Sequence, residues 1–182
     1  MGKAVVLHLA SKGYEVVCCT RSEERFLHLQ SLLPKNAPGK LTRATNHAQG
    51  SAISIWIIGK WEPQVNAHIP SKGLVVVFSV PDPINIKQRP DLTVIDGARF
   101  VLQANSYGNR RFSLLLPGNA IYGCHGGSMV HSLLGWPSHE IGEVDWTQID
   151  SHLTAAFSFL KMSLPPPPDG TTMDSTSVSM LP

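Results

Sequence analysis

The chain lacks charge runs and long apolar runs, and each absence excludes a class of protein. The net charge is only +2 over 182 residues, and the longest basic run is Arg110-Arg111. This is not the electrostatic footprint of a nucleic-acid-binding protein. The longest purely aliphatic and aromatic run, Leu74 to Phe78, is far shorter than the roughly 18 residues that a membrane helix needs. His8 interrupts the apolar N-terminal stretch, and we recognise no secretory signal there.

Cysteine is also scarce, with Cys18, Cys19 and Cys124 as the three examples. An odd number of cysteines without a signal peptide indicates a reducing compartment. No Cys-x-x-Cys spacing is present, so we predict no metal site. Cys18 and Cys19 stand in an apolar run and are interpreted as buried strand residues.

The remaining composition is that of one globular domain followed by a tail. Apolar residues make up 42% of the sequence, which is ordinary for a soluble fold with its own core. We assign the domain to residues 1–163. Residues 164–182 begin with four prolines at 165–168 and continue with Gly, Ser, Thr and Asp. This Pro/Ser/Thr-rich tail is predicted to be disordered.

Within the domain, helical and strand patterns alternate. Gly13 stops the first helix, Ser22 caps the second, and a last helix starts near Asp145. The predicted helices cover 3–12, the segment after Ser22, 119–136 and the segment after 145; the predicted strands cover 14–20, 41–45, 54–59, 73–79 and 92–96. Strands separated by helices or turns predict an α/β fold with a mostly parallel sheet and flanking helices.

The order of elements suggests a Rossmann-like fold that lacks its first strand and glycine turn. Such a fold begins strand, glycine turn, helix, strand, whereas this chain begins with the helix. Gly2 could be the last glycine of the phosphate-binding fingerprint. We therefore expect a truncated gene product or a piece of a larger protein, with a gap or a sheet edge where the first strand belongs.

Two places along this fold are candidate cofactor sites. Thr20, Arg21 and Ser22 follow the second strand of such a fold, where a basic residue can hold the 2′-phosphate of NADP. The alternative is a solvated arginine at a helix start. Gly59 stands in the turn after the Ile55–Ile58 run and is a second point of nucleotide approach, or simply a glycine that ends a strand.

The stretch around Cys124 combines a thiol, histidines and glycines. On a regular helix, Cys124 and His131 share a face but stand roughly 10 Å apart along the axis. His125 lies about 100° around the same helix. A Cys-His dyad therefore needs a broken helix, or His139 folding back after the following turn. The structural alternative is that the glycines at 126 and 127 let the helix approach the sheet, with Cys124 as a small buried residue.

Several blocks of the sequence resemble the C-terminal domain of plant wax-biosynthesis proteins of the ECERIFERUM and GLOSSY type, the very-long-chain aldehyde decarbonylase family. The similarity covers roughly residues 2–160. The blocks are Glu24-Arg25-Phe26, Ile55 to Trp61, Cys124 to Gly127, His131 to Trp136, His139 to Gly142, Val144-Asp145 and Ile149-Asp150. The histidine clusters that hold the di-iron site of complete family members are absent here, so the resemblance does not imply iron chemistry for this chain.

A more distant resemblance is to cyanobacterial acyl-carrier-protein reductases, which reduce fatty acyl thioesters to aldehydes with NADPH. Their cysteine precedes a Gly-Trp pair much as Cys124 precedes Gly135-Trp136. The resemblance implies that Cys124 accepts the acyl group and that His125 or His139 supplies a proton.

Two functional hypotheses follow from these resemblances. One is an NADPH-dependent acyl thioester reductase that makes long-chain aldehydes for wax or alkane formation. The other is a non-catalytic module that binds a membrane-bound decarbonylase partner or lipid. The full family architecture implies the cytoplasmic face of the endoplasmic reticulum, and the chain alone implies the cytoplasm.

Overall fold

The computed structural model describes residues 2–103, 116, 119–136 and 145–163. Its helices are α1 (Gly2–Ser11), α2 (Glu23–Ser31), α3 (Gly123–Leu134) and α4 (Ile149–Leu160). Its strands are β1 (Glu15–Cys19), β2 (Lys40–Ala44), β3 (Ile55–Ile58), β4 (Leu74–Val77), β5 (Thr93–Asp96), β6 (Arg99–Leu102), β7 (Ala120–Tyr122) and β8 (Met162–Ser163). Short 3-10 helices lie at His47–Gly50, Pro63–Ala67 and Trp146–Gln148.

The strands of these described residues form separate small sheets. β1 pairs with β2 in parallel, and β4 lies between β3 and β5 in a second parallel sheet. β6 lies between β7 and β8 in an antiparallel sheet. The expected mixed α/β class with parallel strands is confirmed. The hydrogen bonds do not join these strands into one Rossmann-like sheet.

Helix α1 packs on the β1–β2 sheet through one apolar face. Ala4, Leu7 and Ala10 are buried on that face. Gly13 ends the turn after the helix with a φ of +99°, a conformation that glycine adopts without strain. The backbone N–H of Gly39 donates to the carbonyl of Ala10 at 3.0 Å. The chain entering β2 is thereby held directly against the end of α1.

Helix α2 begins as the sequence predicts. The Ser22 hydroxyl accepts a hydrogen bond from the Arg25 N–H at 3.2 Å, which satisfies one of the free donors at the helix start. Phe26 is buried with Ala10 and Leu41 in a core between the two helices and the sheet.

The two adjacent cysteines of β1 lie in different environments. Cys18 is half-buried, and burial raises the pKa of its thiol to about 11. Cys19 is exposed, so the interpretation of both as buried residues was wrong for Cys19. Successive side chains of a strand point to opposite faces, and here only one face of β1 is covered by helices.

The second parallel sheet encloses a core of its own. Its buried residues come from all three strands and from the connections between them: Ile58, Val65, Ile69, Val75, Val77, Ile84, Leu92 and Val94. Arg89 braces these connections, because its guanidinium donates to the carbonyls of Asn66 and Ile69 and to both carboxylate oxygens of Asp91.

This pairing predicts a loss of stability in acid. The Arg89 guanidinium lowers the pKa of Asp91 to about 2, below the value of about 3.9 for an unfolded chain. The stabilisation is complete above about pH 5, decreases as the pH falls below about 4, and is lost as the pH falls through about 2. We therefore expect the Tm difference between the wild type and Asp91→Asn to shrink over that range, measured by circular dichroism at constant ionic strength. A difference that stays constant from pH 5 to pH 2 would contradict this assignment.

The antiparallel sheet packs against α3 and α4. Leu102, Ile121, Val130 and Met162 form its buried core. The expected helix over 119–136 is shorter than predicted, because residues 120–122 form β7 and the helix begins at Gly123. Ile121 is 1% exposed and pairs opposite Phe100 of β6, so long-range strand pairing outweighs the local helical pattern.

Helix α4 also connects this part of the fold to α1. The Asp150 carboxylate lies 2.6 Å from Lys12 Nζ and 3.1 Å from His8 Nε2. Lys12 lowers the pKa of Asp150. The proposed tail, residues 164–182, lies outside the described residues.

Candidate functional site

Cys124 lies at the start of α3, where a tight contact fixes the helix. Tyr122 is the extended residue before the first turn, and the Gly123 N–H donates to the Ala98 carbonyl at 2.9 Å. A Cβ on Gly123 would lie 3.0 Å from the Phe100 ring. Glycine therefore lets the helix start directly against β6. Cys124 follows as the second helical residue and is exposed, not buried as the structural alternative requires.

His125 is the described histidine next to this thiol. It is exposed, and its ring lies edge-on to Tyr122 with ring centroids 6.0 Å apart. The helix is regular from Gly123, so neighbouring side chains diverge around it. Among the described residues no hydrogen bond joins the Cys124 thiol to a histidine. His139 lies outside the described residues, so its predicted role stays a prediction.

The glycine at 126 does have a packing role. A Cβ on Gly126 would lie 2.8 Å from the end of the Met162 side chain, and Gly126 and Val130 are the buried residues of α3. The close approach of helix to sheet, which the sequence offered as an alternative to chemistry, is present at Gly126. It coexists with an exposed Cys124 two residues earlier in the helix.

The Gly135-Trp136 pair closes the other end of α3. Gly135 has a left-handed φ of +61°, and the Trp136 N–H returns to the His131 carbonyl at 3.2 Å. Trp136 stacks on His152 of α4 at 4.3 Å and lies edge-on to His131 at 5.0 Å. This motif of the sequence therefore joins α3 to α4. The sequence analysis did not identify His152, because its contact with Trp136 joins two different helices.

A polar pocket lies beside the start of α3, at the carboxyl ends of β4 and β5. Its volume is about 250 Å³, and Ser79, Asp82, Asp96, Arg99 and Tyr122 are among its lining residues. Sequence analysis missed this site. The sequence did contain an indication of it. Ligands of parallel sheets bind outside the carboxyl ends of the strands, and Asp96 is the last residue of β5.

Charge inside the pocket is organised around Asp96. Its carboxylate accepts from the Arg99 side chain and from the Ala98 N–H, the latter at 3.0 Å. Across the pocket, burial raises the pKa of Asp82, and the charge of Asp96 adds to this effect, while the Ile84 N–H and Arg99 oppose it. Asp82 is thus easier to protonate than an aspartate in water.

Hydrogen bonds within this region hold the turn that contains the predicted cofactor residues after β1. The Thr20 hydroxyl accepts from the Ser22 N–H at 3.3 Å, so Thr20 and Ser22 together shape the turn into α2. Arg43 donates to the carbonyls of Thr20 and Arg21. The Arg21 side chain is exposed, and within the described residues its guanidinium has no ion-pair partner.

The two glycines predicted for the cofactor differ in their surroundings. No atom lies within 4 Å of a Cβ built on Gly2, so no described neighbour requires glycine there. A Cβ on Gly59 would overlap the Phe78 ring. Packing against Phe78 is therefore enough to require glycine at position 59. The cofactor roles of Gly2 and Gly59 stay predictions.

Two negative findings apply to the described residues. No group of three or more His, Cys, Asp and Glu side chains in these segments is placed to hold a metal ion. None of the helices in them combines the length and hydrophobicity needed to cross a membrane.

These features define a mixed α/β domain in which a helix bearing an exposed cysteine begins beside a polar pocket at the ends of parallel strands. The chain belongs to the CER1-like, C-terminal domain family, which matches residues 1–160. The resemblance to the ECERIFERUM and GLOSSY proteins is confirmed by this match.

Two rice proteins (Oryza sativa subsp. indica) are among its similar relatives. Very-long-chain aldehyde decarbonylase GL1-2 is 30% identical over 167 residues, which are 91% of this chain and 26% of that protein. Very-long-chain aldehyde decarbonylase GL1-1 is 28% identical over 151 residues, which are 82% of this chain and 24% of that protein. The chain therefore spans about a quarter of these relatives. No solved structure matches it.

Proposed function

We propose that this domain reduces a long-chain acyl thioester to an aldehyde for wax biosynthesis, on a Rossmann-like fold. Cys124 is the acyl acceptor and NADPH the hydride donor. The observation that carries the proposal is the exposed Cys124 in the first turn of α3, beside a polar pocket at the carboxyl ends of parallel strands. The rice relatives are named as decarbonylases of very-long-chain aldehydes, and an aldehyde-forming domain would supply the compound on which such an enzyme acts.

The first chemical step is acyl transfer to sulfur. The Cys124 thiolate attacks the thioester carbonyl, the bond from the acyl carbon to the carrier sulfur breaks, and the carrier leaves as a thiolate that takes up a proton. Two features support Cys124 as the nucleophile. The N–H groups of the first helical turn favour negative charge there, and its side chain is open to a substrate.

The second step releases the aldehyde. NADPH, when bound, supplies a hydride to the acyl carbon. The carbon–sulfur bond to Cys124 then breaks, which regenerates the thiolate and frees the aldehyde. His125 is assigned the proton transfer to the departing carrier thiolate, because it is exposed next to Cys124 and its ring is placed by Tyr122.

The pocket suits the polar end of such a substrate. Its volume of about 250 Å³ holds a carbonyl group and its neighbours, not a whole long acyl chain. Tyr122 lines it, and its hydroxyl can donate a hydrogen bond to a carbonyl oxygen. Val80 also lines the pocket and is 64% exposed. It offers an apolar exit for the chain toward the surface.

The described residues fit one end of NADPH. Arg21 follows β1 at the position where a guanidinium can hold a 2′-phosphate, and its exposed side chain is not engaged by a described carboxylate. Thr20 and Ser22 fix the turn that presents it. Gly2 and Gly59 complete the predicted set. We further propose that the domain acts beside a membrane-bound decarbonylase partner at the cytoplasmic face of the endoplasmic reticulum.

The test of this proposal compares two exposed cysteines in the same chain. Purified protein is incubated with palmitoyl-CoA, and acylation is located by peptide mass spectrometry. We expect Cys124 to be acylated at least about tenfold faster than Cys19. Burial and the Glu62 carboxylate raise the pKa of Cys19, against a smaller opposing effect of Arg21, so its thiol supplies less thiolate. Addition of NADPH should then release hexadecanal.

Cys124→Ser and Cys19→Ser are the matched variants. The first should abolish acylation at position 124 and aldehyde release, leaving the slow acylation of Cys19, and the second should leave acylation of Cys124 and aldehyde release unchanged. Equal acylation of the two cysteines, or acyl-Cys124 that NADPH does not discharge, would contradict the reductase and favour the non-catalytic module.

A further inference from the structure

The sheet of β3, β4 and β5 has two faces that differ in burial. Successive side chains of a strand point to opposite faces, and one face carries the buried core residues of this sheet, among them Ile58, Val75 and Val94. The strand register places a second set of side chains on the opposite face, which we call the outer face: Ile55, Ile57, Leu74, Val76, Thr93 and Ile95. All of these except Thr93 are apolar, none is charged, and none is buried.

The outer face is most open at β3. Ile55 is 57% exposed and Ile57 is 41% exposed. The strands of a parallel sheet are ordinarily buried on both faces, and a contiguous apolar surface that stays exposed marks an interaction site. The six positions offer no charge to a polar ligand, so the outer face suits a hydrocarbon.

At the carboxyl end of the outer face, two glycines stand beside one aromatic ring. The Phe78 ring lies over Gly59, where a Cβ would overlap it. On the other side, the Gly97 N–H donates to the Val77 carbonyl at 2.7 Å and continues the ladder of β5. A Cβ on Gly97 would lie 3.0 Å from Val76 Cγ1, so Gly97 borders the outer face and adds no side chain to it.

The same strand ends border the polar pocket. Asp96 and Ala98, on either side of Gly97, both line the pocket. Val80, two residues beyond Phe78, also lines it and is 64% exposed. A chain that leaves the pocket at these strand ends therefore reaches the outer face past Gly97, where no side chain projects.

We propose that the outer face binds the hydrocarbon chain of the acyl substrate, along a path from Gly97 to Ile57 and Ile55. This inference rests on the proposed function for the identity of the ligand and adds the surface that holds its chain. The pocket of about 250 Å³ receives the carbonyl end.

The dimensions of the sheet make this surface selective for long chains. From β5 to β3 the path crosses two strand spacings, about 10 Å, and from Gly59 to Ile55 it follows four residues of β3, about 13 Å. A short acyl chain ends within the pocket, whereas a long chain reaches Ile57 and Ile55. The two isoleucines should therefore matter for long substrates alone.

The chain site is tested with a ligand that needs no chemistry at Cys124. cis-Parinaric acid, a long-chain fatty acid whose fluorescence rises when its chain leaves water, is titrated into the whole protein. The double variant Ile55→Thr/Ile57→Thr removes apolar surface but keeps β-branched side chains, which favour a strand. We expect it to bind the acid at least about tenfold more weakly than the wild type. Leu133→Gln is the control, because Leu133 is 62% exposed on α3, and it should bind as the wild type does.

A crosslinking measurement on the wild type locates the chain without any substitution, so it also holds if the double variant does not fold. Palmitic acid with a diazirine near its methyl end is photolysed in the presence of the protein, and the labelled peptide is identified by mass spectrometry. We expect the label in the peptide that contains Ile55 and Ile57, and we expect unlabelled palmitic acid to compete with it.

Acylation of Cys124 separates this inference from the reductase proposal. With palmitoyl-CoA the double variant should acylate Cys124 at least about tenfold more slowly than the wild type, and with butyryl-CoA at the same rate, because the short chain buries no surface on β3. A label at Ile55 and Ile57 without acylation of Cys124 would contradict the reductase and support the chain site. Equal binding of cis-parinaric acid by the wild type and the double variant, no binding by either, or a label confined to other peptides would overturn the chain site, even where Cys124 is acylated.

Discussion

Replacing Gly39 with alanine should lower the free energy of unfolding by about 3 kcal/mol, at the upper end of overpacking effects. A Cβ at this position would lie 2.5 Å from the Tyr14 carbonyl oxygen, 2.8 Å from the Ala10 Cα and closer still to the Ala10 carbonyl oxygen. All three atoms belong to the backbone, so no side chain can rotate away. The main chain must move, and the hydrogen bond from the Gly39 N–H to Ala10 is strained with it.

Urea unfolding of Gly39→Ala, followed by tryptophan fluorescence, measures this effect. A loss of about 3 kcal/mol corresponds to a fall in Tm of about 6–12 °C for a domain of this size. Gly2→Ala is the matched control, because no atom lies within 4 Å of its added Cβ and alanine favours a helix. An equal effect of the two substitutions would show that the contact between α1 and β2 does not require glycine.

The sequence predicted those parts of the fold that local chemistry determines. Gly13 stops α1 because its φ is positive, and Ser22 caps α2 because its hydroxyl reaches the Arg25 N–H. The apolar runs at 54–59 and 73–79 contain β3 and β4, as predicted, because a run of apolar and β-branched residues favours a parallel strand. These signals all lie within a few residues of the element that they define.

The antiparallel sheet could not be predicted in the same way. β7 has three residues and β8 has two, which is too short for a periodicity to appear. Their pairing with β6 depends on contacts between distant parts of the chain, such as Ile121 opposite Phe100. The pocket depends on the same contacts, because Tyr122 of β7 reaches it only when β7 pairs with β6.

Only part of the candidate site was predicted, because the rest of it also depends on contacts between distant parts of the chain. Cys124 and His125 were identified from residue type and from resemblance, and both lie exposed at the start of α3. Asp82 was not identified from the sequence. Its importance appears only when burial raises its pKa and Asp96 and Arg99 come to face it. Partial burial and the charges of distant residues are not readable from a linear sequence.

Gly59 is where a packing role and a cofactor role can be separated by experiment. We expect Gly59→Ala to cost about 2 kcal/mol, since the added Cβ overlaps the Phe78 ring and the ring must leave its place. In a Phe78→Leu background the smaller side chain leaves room, and the same substitution should cost less than about 1 kcal/mol. The double-mutant cycle then gives a coupling of at least about 1 kcal/mol between the two positions.

The cofactor role is tested by thermal unfolding with and without NADPH. The four proteins compared are the wild type, Gly59→Ala, Phe78→Leu and the double variant. If Gly59 serves packing alone, the Tm increase caused by NADPH is unchanged by alanine once Phe78 is leucine, because the strand end has returned to its normal place. If the nucleotide approaches the backbone at Gly59, alanine reduces that increase in both backgrounds, since the added Cβ blocks the ligand whatever residue stands at position 78. A small coupling free energy, together with a smaller NADPH-induced Tm increase in both alanine variants, would assign Gly59 to the cofactor site. A large coupling free energy with an unchanged Tm increase would assign Gly59 to core packing.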